Sequence, residues 1–486
     1  MPKTKTYKFF HCKPFINSRF SKVNLIIFAL IFLGIWSYFV FSSSAASNSG
    51  DINGDGFVNV FDLSLLLASY GHNQSKCVTN ADYICDINAD NVVNIFDLSI
   101  LLTNYGAAAP VGYVHQSGTQ LLDGNNNPLR LHGVNLGGYL SWEGWIWGNG
   151  FDYVGESKMM SNLAGLVGQT QADQFQTDVY NNFITSADFQ ALSSYGVNAV
   201  RLPINYRMLE DDSNPGVYKQ AGWNVLDNLV NEAKQNNVYL ILDMHVAPCS
   251  QNMGFTEDYI GGPDFLWTTP ACQDRTVALW KAIAQRYASE KIIAGYDLLN
   301  ESVTSDANLL SLYQRITTAI RQVDINHLLI YEGNNTATTF TVFAAPLDSN
   351  EMISVHDYSW NEPSGNLSGN FPTYDAAATL MNCPMWVGEF GQAVFSTVQQ
   401  QVNLYKADPL IAGWSDWTYK QSPGFAAMQT IQESAAAKML IEYMNNTNNP
   451  QPTLVQAQQG MSDFINEIQI ANTTPNVQMQ QLFNSP

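Results

Sequence analysis

Basic residues are scarce in this chain. Lysine and arginine number 22 among 486 residues, whereas aspartate and glutamate number 42, so the formal net charge is −20. The first 50 residues hold six of those cations and no acidic residue, which leaves a net charge of −26 on the remainder. Because phosphate contacts require lysine and arginine, this composition argues against nucleic acid as a partner. It suits a neutral substrate, Ca²⁺ or an extracellular environment.

Cysteine is also rare, with six residues in the whole chain. Cys77 and Cys85 lie close together in one polar insertion, and Cys249 and Cys272 bracket a loop. Two disulfides are therefore expected if the chain is exported, although spacing alone does not prove pairing. Cys383 lies in an apolar run and is expected to be a buried, inert thiol.

The first 46 residues have the pattern of a signal peptide or an N-terminal membrane anchor. A basic stretch precedes Leu25–Phe41, which is 17 residues without a charge, and Ser44-Ala45-Ala46 fits a small-residue cleavage site. A cleaved signal usually has a shorter apolar stretch, and this one approaches the minimum for a spanning helix. Both alternatives stay open. Either one predicts an extracellular location, secreted or anchored at the cell surface.

A loop rich in oxygen side chains occurs twice, offset by 35 residues, as DINGDGFVNVFD at 51–62 and DINADNVVNIFD at 86–97. Each copy precedes an apolar helix pattern that ends in Tyr-Gly. Carboxylate and amide oxygens at loop positions 1, 3, 5, 9 and 12 are typical of an EF-hand calcium loop. Asn91 replaces Gly56 at position 6, and asparagine tolerates the left-handed conformation that this turn needs. The predicted ligands of two structural Ca²⁺ ions are Asp51, Asn53, Asp55, Asn59 and Asp62, and Asp86, Asn88, Asp90, Asn94 and Asp97.

Residues 51–106 thus resemble a type I dockerin, a small all-α module with two such loops. The resemblance implies calcium-dependent folding and binding to a cohesin-like protein. The chain departs from the family in two ways. Its module is N-terminal, and loop positions 10 and 11, where the family often carries small polar recognition residues, hold Val60-Phe61 and Ile95-Phe96. A calcium-stabilised spacer or a self-association module is the alternative, and the two apolar pairs are either a binding patch or part of the module's core.

A small-residue linker at 107–112 leads into a region, 113–450, where apolar runs alternate with helix-like stretches. Eight such β-then-α units predict a parallel (β/α)₈ barrel, whose active site collects at the carboxyl ends of the strands. Residues 451–486 form a tail with one helix-like stretch. The eight predicted strand runs are 129–138, 197–206, 238–248, 292–302, 328–333, 353–358, 385–391 and 412–420.

Two short motifs place a glutamate at the end of an apolar run: LLNES at 298–302 contains Glu301, and WVGEFG at 386–391 contains Glu389. One such glutamate alone would be weak evidence, but two facing carboxyls are what retaining glycoside hydrolysis needs. Other polar and aromatic residues lie on neighbouring runs, nearly all near the carboxyl ends, which indicates a convergent cluster in the barrel mouth. These residues are Arg201, His245, Asn300, His356, Tyr358 and Trp417.

With that set, the region looks like glycoside hydrolase family 5, over most of residues 111–420. The resemblance implies that Glu389 is the nucleophile and Glu301 the acid and base, with Arg201 as counter-charge to Glu389. The other residues of the set bind substrate or orient the carboxylates, and no metal takes part in catalysis. LHGVNLGG, WEGWIWG and DMHVAPCSQN are similar to exo-β-1,3-glucanases, except that Cys249 replaces a usual glycine. RTVALWKAIAQRY and IIAGYDLLNE are shared with cellulase-like members.

The predicted function is therefore a retaining, cellulase-like or β-1,3-glucanase-like hydrolase that degrades β-glucan. An inactive barrel that binds glycan or docks a partner at the cell surface is the alternative, and mannan or a glycosphingolipid is the alternative substrate. Trp142, Trp145 and Trp147 are either a sugar platform or a hydrophobic plug of the barrel. The catalytic set does not fix the linkage, or whether cleavage is endo or exo.

Overall fold

The computed structural model describes residues 52, 58, 60–73, 76–78, 84–87, 91–103, 112–148, 153–262, 265–362 and 366–484. The predicted signal or anchor segment at 1–46 lies outside these residues, as does most of the linker. Six predicted calcium ligands also lie outside them: Asp51, Asn53, Asp55, Asn59, Asn88 and Asp90. Within the described part of the chain, no helix combines the length and the apolar character that crossing a membrane would require.

The region before the linker has a small core of its own. Two short apolar helices, α1 (Val60–Ser69) and α2 (Ile95–Thr103), follow the two oxygen-rich loops. Leu66 and Leu101, at equivalent places in the two helices, are both fully buried in this core. A disulfide joins Cys77 to Cys85 in the same core. The core contains few residues, so this covalent link adds to its stability by restricting the unfolded chain.

Eight parallel strands close into a barrel in which each strand pairs with the next in the sequence and the last pairs with the first. Their side chains are almost entirely buried, as expected for strands covered on both faces. The predicted barrel of eight strands is confirmed. The strands are β1 (Leu131–Asn135), β2 (Ala199–Asn205), β3 (Tyr239–Val246), β4 (Ile293–Asp297), β5 (Leu328–Glu332), β6 (Glu351–His356), β7 (Met385–Gly391) and β8 (Ile411–Trp417).

Helices connect the strands, with one local difference from the predicted repeat. The connection between β5 and β6 contains only a four-residue helical turn, Asn334–Ala337, in which Asn335 and Thr336 have left-handed φ angles. Asparagine and threonine favour turns over helix interiors, and Phe340, which follows the turn, packs in the core. The remaining helices are α3 (Glu156–Val167), α4 (Gln169–Asn182), α5 (Ser186–Ser194), α6 (Gln220–Asn236), α7 (Pro270–Tyr287), α8 (Asp306–Arg321), α9 (Phe371–Met381), α10 (Phe395–Ala407), α11 (Ala435–Asn445), α12 (Leu454–Glu467) and α13 (Val477–Asn484).

The amino-terminal end of the barrel is closed by a hairpin. Its strands, His115–Ser117 and Gln120–Leu122, pair in antiparallel fashion. Leu121 of this hairpin clusters with apolar residues near the starts of the barrel strands, among them Leu131 and Ala199. The carboxyl ends of the strands are therefore the end of the barrel that is left for a binding site.

The tail that follows residue 450 belongs to the outer layer of the barrel. Helix α12 packs against α11, α3 and α4. Its Phe464 lies 4.8 Å from the ring of Trp147, which in turn lies 4.4 Å from the ring of Trp142. Both tryptophans are fully buried. Trp142 and Trp147 therefore pack inside the protein against the outer helices, whereas Trp145, between them in sequence, lines a cavity.

Candidate active site

A cavity of about 450 Å³ opens at the carboxyl ends of the strands. Six of the eight residues predicted for the site line it, and the other two, Arg201 and His356, are fully buried and contact its walls. The structure thus brings all eight together. The six lining residues are His245, Asn300, Glu301, Tyr358, Glu389 and Trp417.

The two glutamates face each other across this cavity. A carboxylate oxygen of Glu301 and one of Glu389 lie within 4.8 Å of each other. Glu301 follows strand β4 and its side chain is 18% exposed, whereas Glu389 lies inside β7 and its side chain is 5% exposed. The more accessible carboxyl is thus the one that a substrate oxygen can approach, and the deeper one is held by the protein.

Glu389 is fixed as a carboxylate by two direct partners. Its Oε1 lies 2.7 Å from Nη1 of Arg201, and its Oε2 accepts a 2.7 Å hydrogen bond from the Tyr358 hydroxyl. Burial raises the pKa of Glu389, but the positive charges of His356, Arg201 and His245, together with the Tyr358 hydrogen bond, outweigh it and hold this pKa below its usual value. The side chain is therefore an ionised, oriented base or nucleophile.

The backbone of Glu301 is pinned in a turn. Its φ angle is +43°, a left-handed value that is uncommon for residues other than glycine. The backbone N–H donates to Oε2 of Glu332 at 2.6 Å, and the carbonyl oxygen accepts from Nδ2 of Asn252 at 3.1 Å. The carboxyl itself meets Nδ1 of His356 at 2.7 Å. These contacts aim the side chain into the cavity.

Arg201 is the electrostatic centre of the site. Its guanidinium, fully buried at the bottom of the cluster, pairs with four carboxylates at 2.7–3.1 Å. It also donates to Oδ1 of Asn300 at 2.9 Å, which fixes that amide. Even with this partner, burial raises the pKa of Asp297 to about 6. The four carboxylates belong to Asp243, Asp297, Glu332 and Glu389.

The two histidines link these carboxylates to the cavity. His245 contacts Oδ2 of Asp243 through Nδ1 at 2.8 Å and Oε1 of Glu143 through Nε2 at 3.5 Å. Burial alone would lower the pKa of both histidines, but neighbouring carboxylates raise it, chiefly Asp243 for His245 and Glu332 for His356. The neighbouring carboxylates therefore favour the charged form of both rings. Carboxylate oxygens lie near both nitrogens of His245, and Nδ1 of His356 meets Glu301, which suits a role in orienting carboxylates.

Sequence reasoning missed three of the four carboxylates that surround Arg201. Asp243, Asp297 and Glu332 stand in strands β3, β4 and β5, near the ends of apolar runs already identified. A single acidic residue late in a buried parallel strand was a usable signal, because such a charge requires a partner.

Two further acidic residues come from loops. Glu143, in WEGW, lines the cavity and accepts from Nε1 of Trp145 at 2.7 Å. Glu257 is fully buried behind the cavity, where its Oε1 faces Nδ2 of Asn300 at 3.4 Å. Burial, together with the charge of Glu301, raises the pKa of Glu257 well above its usual value. Nothing in the local sequence distinguishes Glu257 from a surface glutamate.

The predicted pairing of Cys249 with Cys272 is present and supports one wall of the site. Cys249 has a φ of +66°, a conformation that glycine adopts freely. Next in this loop, Nε2 of Gln251 donates to the carbonyl oxygens of His245 and Asn300 at 2.7 and 2.9 Å. The disulfide therefore holds a loop that ties two strand ends together.

The described calcium-loop residues have matching contacts in the two copies. Oδ1 of Asp62 accepts from the N–H of Ile52, and Oδ1 of Asp97 accepts from the N–H of Ile87. The φ angle of Asn91 is +65°, the left-handed value expected at loop position 6. Asp86 and Asn94, also described, donate or accept hydrogen bonds within the second loop. These four predicted ligands offer oxygen atoms, the donor type that Ca²⁺ requires.

Comparison with known proteins gives the family. Residues 161–422, more than half of the chain, match Cellulase (glycosyl hydrolase family 5). A beta-xylosidase of Phanerodontia chrysosporium is 32% identical over 65% of this chain and 72% of that protein. Endoglucanase C of Acetivibrio thermocellus is 34% identical over 36% of this chain and 49% of its own length. A probable glucan 1,3-beta-glucosidase A of Aspergillus fumigatus is 33% identical over 40% of this chain and 47% of its own length. The chain spans only about half the length of the last two relatives. The chain belongs to glycosyl hydrolase family 5 and is a glycoside hydrolase.

Proposed function

We propose that this enzyme hydrolyses β-glucan with net retention of anomeric configuration. The observation that carries the proposal is the separation of the two carboxyls, with oxygens within 4.8 Å. Retaining enzymes hold their carboxyls about 5–5.5 Å apart, whereas inverting enzymes need about 6.5–9.5 Å to fit a water molecule. The relatives named endoglucanase and glucan 1,3-beta-glucosidase support a β-glucan as substrate.

In the first step, Glu389 attacks the anomeric carbon and the bond to the leaving oxygen breaks. Glu301 gives its proton to that oxygen as it departs. Arg201 and Tyr358 keep Glu389 ionised and aimed, so little reorganisation is needed when the glycosyl–enzyme bond forms. In the second step, Glu301 takes a proton from water, which displaces Glu389 from the same face that the leaving group occupied.

Neighbouring side chains position the sugar. Asn300, fixed by Arg201, stands beside the acid, where it can meet the sugar 2-hydroxyl, a contact that strengthens in the transition state. Trp417 lines the cavity, and its ring is stacked on that of His245 with centroids 5.2 Å apart. Its proposed role is to stack on the apolar face of the sugar in the cleavage subsite. Trp145 and Trp360 also line the cavity. They extend the same apolar lining.

The function is tested by reducing-sugar release from β-1,3-, β-1,4- and mixed-linkage glucans and from mannan. We expect hydrolysis of one glucan, with the β-anomer appearing first in the NMR spectrum of the product. The α-anomer appearing first would overturn the retaining mechanism, and hydrolysis of mannan alone would overturn the β-glucan assignment.

Replacing Glu301 with alanine should slow the cleavage of substrates with poor leaving groups much more than that of substrates with good ones. Loss of a general acid lowers kcat by about 10²–10⁴-fold on glucan, where the leaving oxygen needs a proton. In an aryl glycoside with an acidic phenol, the phenolate leaves without that help. The first step on this substrate is therefore expected to keep most of its rate. Pre-steady-state release of the phenol measures this. Glu442→Ala, on the surface of α11, is the matched control, and equal losses on both substrates would contradict the role of Glu301.

The region at 51–106 is proposed to bind two Ca²⁺ ions and to dock a cohesin-like protein outside the cell. The oxygen atoms of the described ligands, Asp62 in the first loop and Asp86, Asn94 and Asp97 in the second, support calcium. The two disulfides fit an oxidising compartment. Ile95 and Phe96 are 56% and 65% exposed, as a contact surface for a partner would be. Secretion and retention at the surface are both compatible with this role.

Removal of calcium should destabilise this region and leave the barrel unaffected. Ligand binding to the folded state alone stabilises it, so calorimetry of the whole chain should show one low-temperature transition that moves down on chelation. Calcium should restore it, and equimolar Mg²⁺ should restore less because it dehydrates reluctantly. An unchanged thermogram in the chelator would refute the calcium proposal.

A further inference from the structure

A short segment after strand β6, residues 357–362, forms part of the cavity wall. Its Trp360 is 56% exposed and stacks on the ring of Tyr358 with centroids 4.4 Å apart and planes within 11°. Trp360 and Asn361 both line the cavity. Such an exposed, flat indole beside a catalytic tyrosine is placed to contact a sugar ring. Something must hold it there, because the indole is mostly exposed while its stacking partner Tyr358 is buried.

The ends of this segment are joined by two acidic side chains. Asp357 and Glu362 are 1% and 6% exposed, and their carboxyls lie close enough for a hydrogen bond to form between them if one carries a proton. Oδ1 of Asp357 and Oε1 of Glu362 are buried and have no hydrogen-bond donor from the described part of the protein. A hydrogen bond between the two carboxyls would give these two oxygens the partner that buried polar atoms normally have.

The outer oxygens tie the pair to two helices. Oδ2 of Asp357 accepts from the Tyr405 hydroxyl of α10 at 2.8 Å, and Oε2 of Glu362 accepts from the N–H of Asn370, just before α9, at 3.1 Å. The titratable groups that face the pair are Tyr405 of α10 and Tyr374 of α9. Neither is a cation at neutral pH, so they do not neutralise a second negative charge.

Two carboxyls can form a hydrogen bond only when one of them carries a proton. Like charges at this distance in a buried site cannot both ionise without a large cost. In agreement, burial and the hydrogen bond to Glu362 raise the pKa of Asp357 to about 8. One proton between the two buried carboxyls therefore fits their surroundings better than two negative charges.

We propose that Asp357 and Glu362 are positioning residues, which share one proton and thereby hold Trp360 in place as a wall of the sugar-binding site. The proposal rests on the proposed function, because it assigns the cavity to a sugar. Neither carboxyl takes part in bond making or breaking. Their effect is on substrate affinity, through the position of the indole.

The sign of the pH effect follows from the raised pKa. A carboxyl that binds its proton more tightly when folded contributes stability fully below its unfolded pKa of about 3.9, and this contribution falls as pH rises through about 8. Above that pH the two charges repel and the segment is no longer fixed. Loss of one stacking platform is expected to raise KM by up to about 10-fold, with a smaller change in kcat.

Two substitutions replace the shared proton with a permanent N–H donor. In Asp357→Asn or Glu362→Gln, the amide donates to the remaining carboxylate at every pH. We expect the wild-type KM to rise between pH 7 and 9, and the KM of each variant to stay level over that range. Glu351→Gln is the matched control, because Glu351 is a buried carboxyl at the other end of β6, with a pKa raised to about 7 by burial. Its KM profile should follow the wild type.

A second measurement does not depend on activity. The free energy of unfolding of the wild type should fall from pH 5 to 9 by more than that of Asp357→Asn. If the wild type hydrolyses no glycan, the proposed function fails, while this comparison still decides whether the pair shares a proton. Identical pH dependence of stability in wild type and variant would overturn the shared proton. Identical KM profiles with different stability would overturn the positioning role.

Discussion

Glu389→Gln is expected to lower kcat by on the order of 10⁴-fold or more on any glycan that the enzyme cleaves. The amide has nearly the same shape as the carboxylate, and its oxygen can still accept from Arg201. It cannot form the glycosyl–enzyme bond, however, because an amide is a poor nucleophile. Single-turnover kinetics on the preferred glucan measures this loss, and the unfolding curve shows that the variant is folded.

Glu290→Gln provides the matched control for this experiment. Glu290 pairs with Lys234 at the surface, with both side chains about a quarter exposed. The same isosteric change there should leave kcat within about twofold of the wild type, because exposed ion pairs contribute little. If Glu389→Gln kept more than a hundredth of the wild-type rate, Glu389 would not be the nucleophile.

Arg201→Met should have the largest effect on stability. The guanidinium is fully buried and is the shared partner of four carboxylates. Removing one side of a buried ion pair typically costs about 3–5 kcal/mol, because the partner charge is left without compensation. Urea unfolding should show at least this loss in the free energy of unfolding at pH 7.

Two companion variants make the result interpretable. Arg201→Lys keeps the charge but loses the planar fork that reaches several carboxylates at once, so we expect an intermediate loss. Arg286→Met breaks a pair with Asp227 in which both side chains are about a third exposed, and it should cost less than about 1 kcal/mol. If Arg201→Met were as mild as Arg286→Met, the carboxylates around it would have to be protonated and its role as counter-charge would fail.

The barrel and the main site could be predicted because both follow from local patterns. Each strand is an apolar run, and each of the eight predicted residues lies in such a run, most of them near its carboxyl end. Parallel strands that close into a barrel bring those ends together. Once the eight runs were recognised, the convergence of Arg201, Glu301 and Glu389 needed no long-range information.

The parts that escaped prediction depend on long-range contacts or on chain geometry. Glu257 reaches Asn300 only because its loop, held by the Cys249–Cys272 disulfide, folds over the strand ends. The left-handed φ of Glu301 leaves no trace in composition. The missing helix between β5 and β6 did have a local cause, in a run rich in asparagine and threonine. The regular alternation of the other units concealed it.

The packing of α12 bears on how much of this chain is needed for an active enzyme. Phe464 supports Trp147, Trp147 contacts Trp142, and the loop that contains both also carries Glu143 and Trp145 into the cavity. A chain cut after α11, the first helix that follows β8, would keep every proposed catalytic residue. It would nevertheless lose the support under one wall of the cleft. The smallest working catalytic domain therefore extends well beyond the barrel itself, and the tail is a structural part of the substrate site.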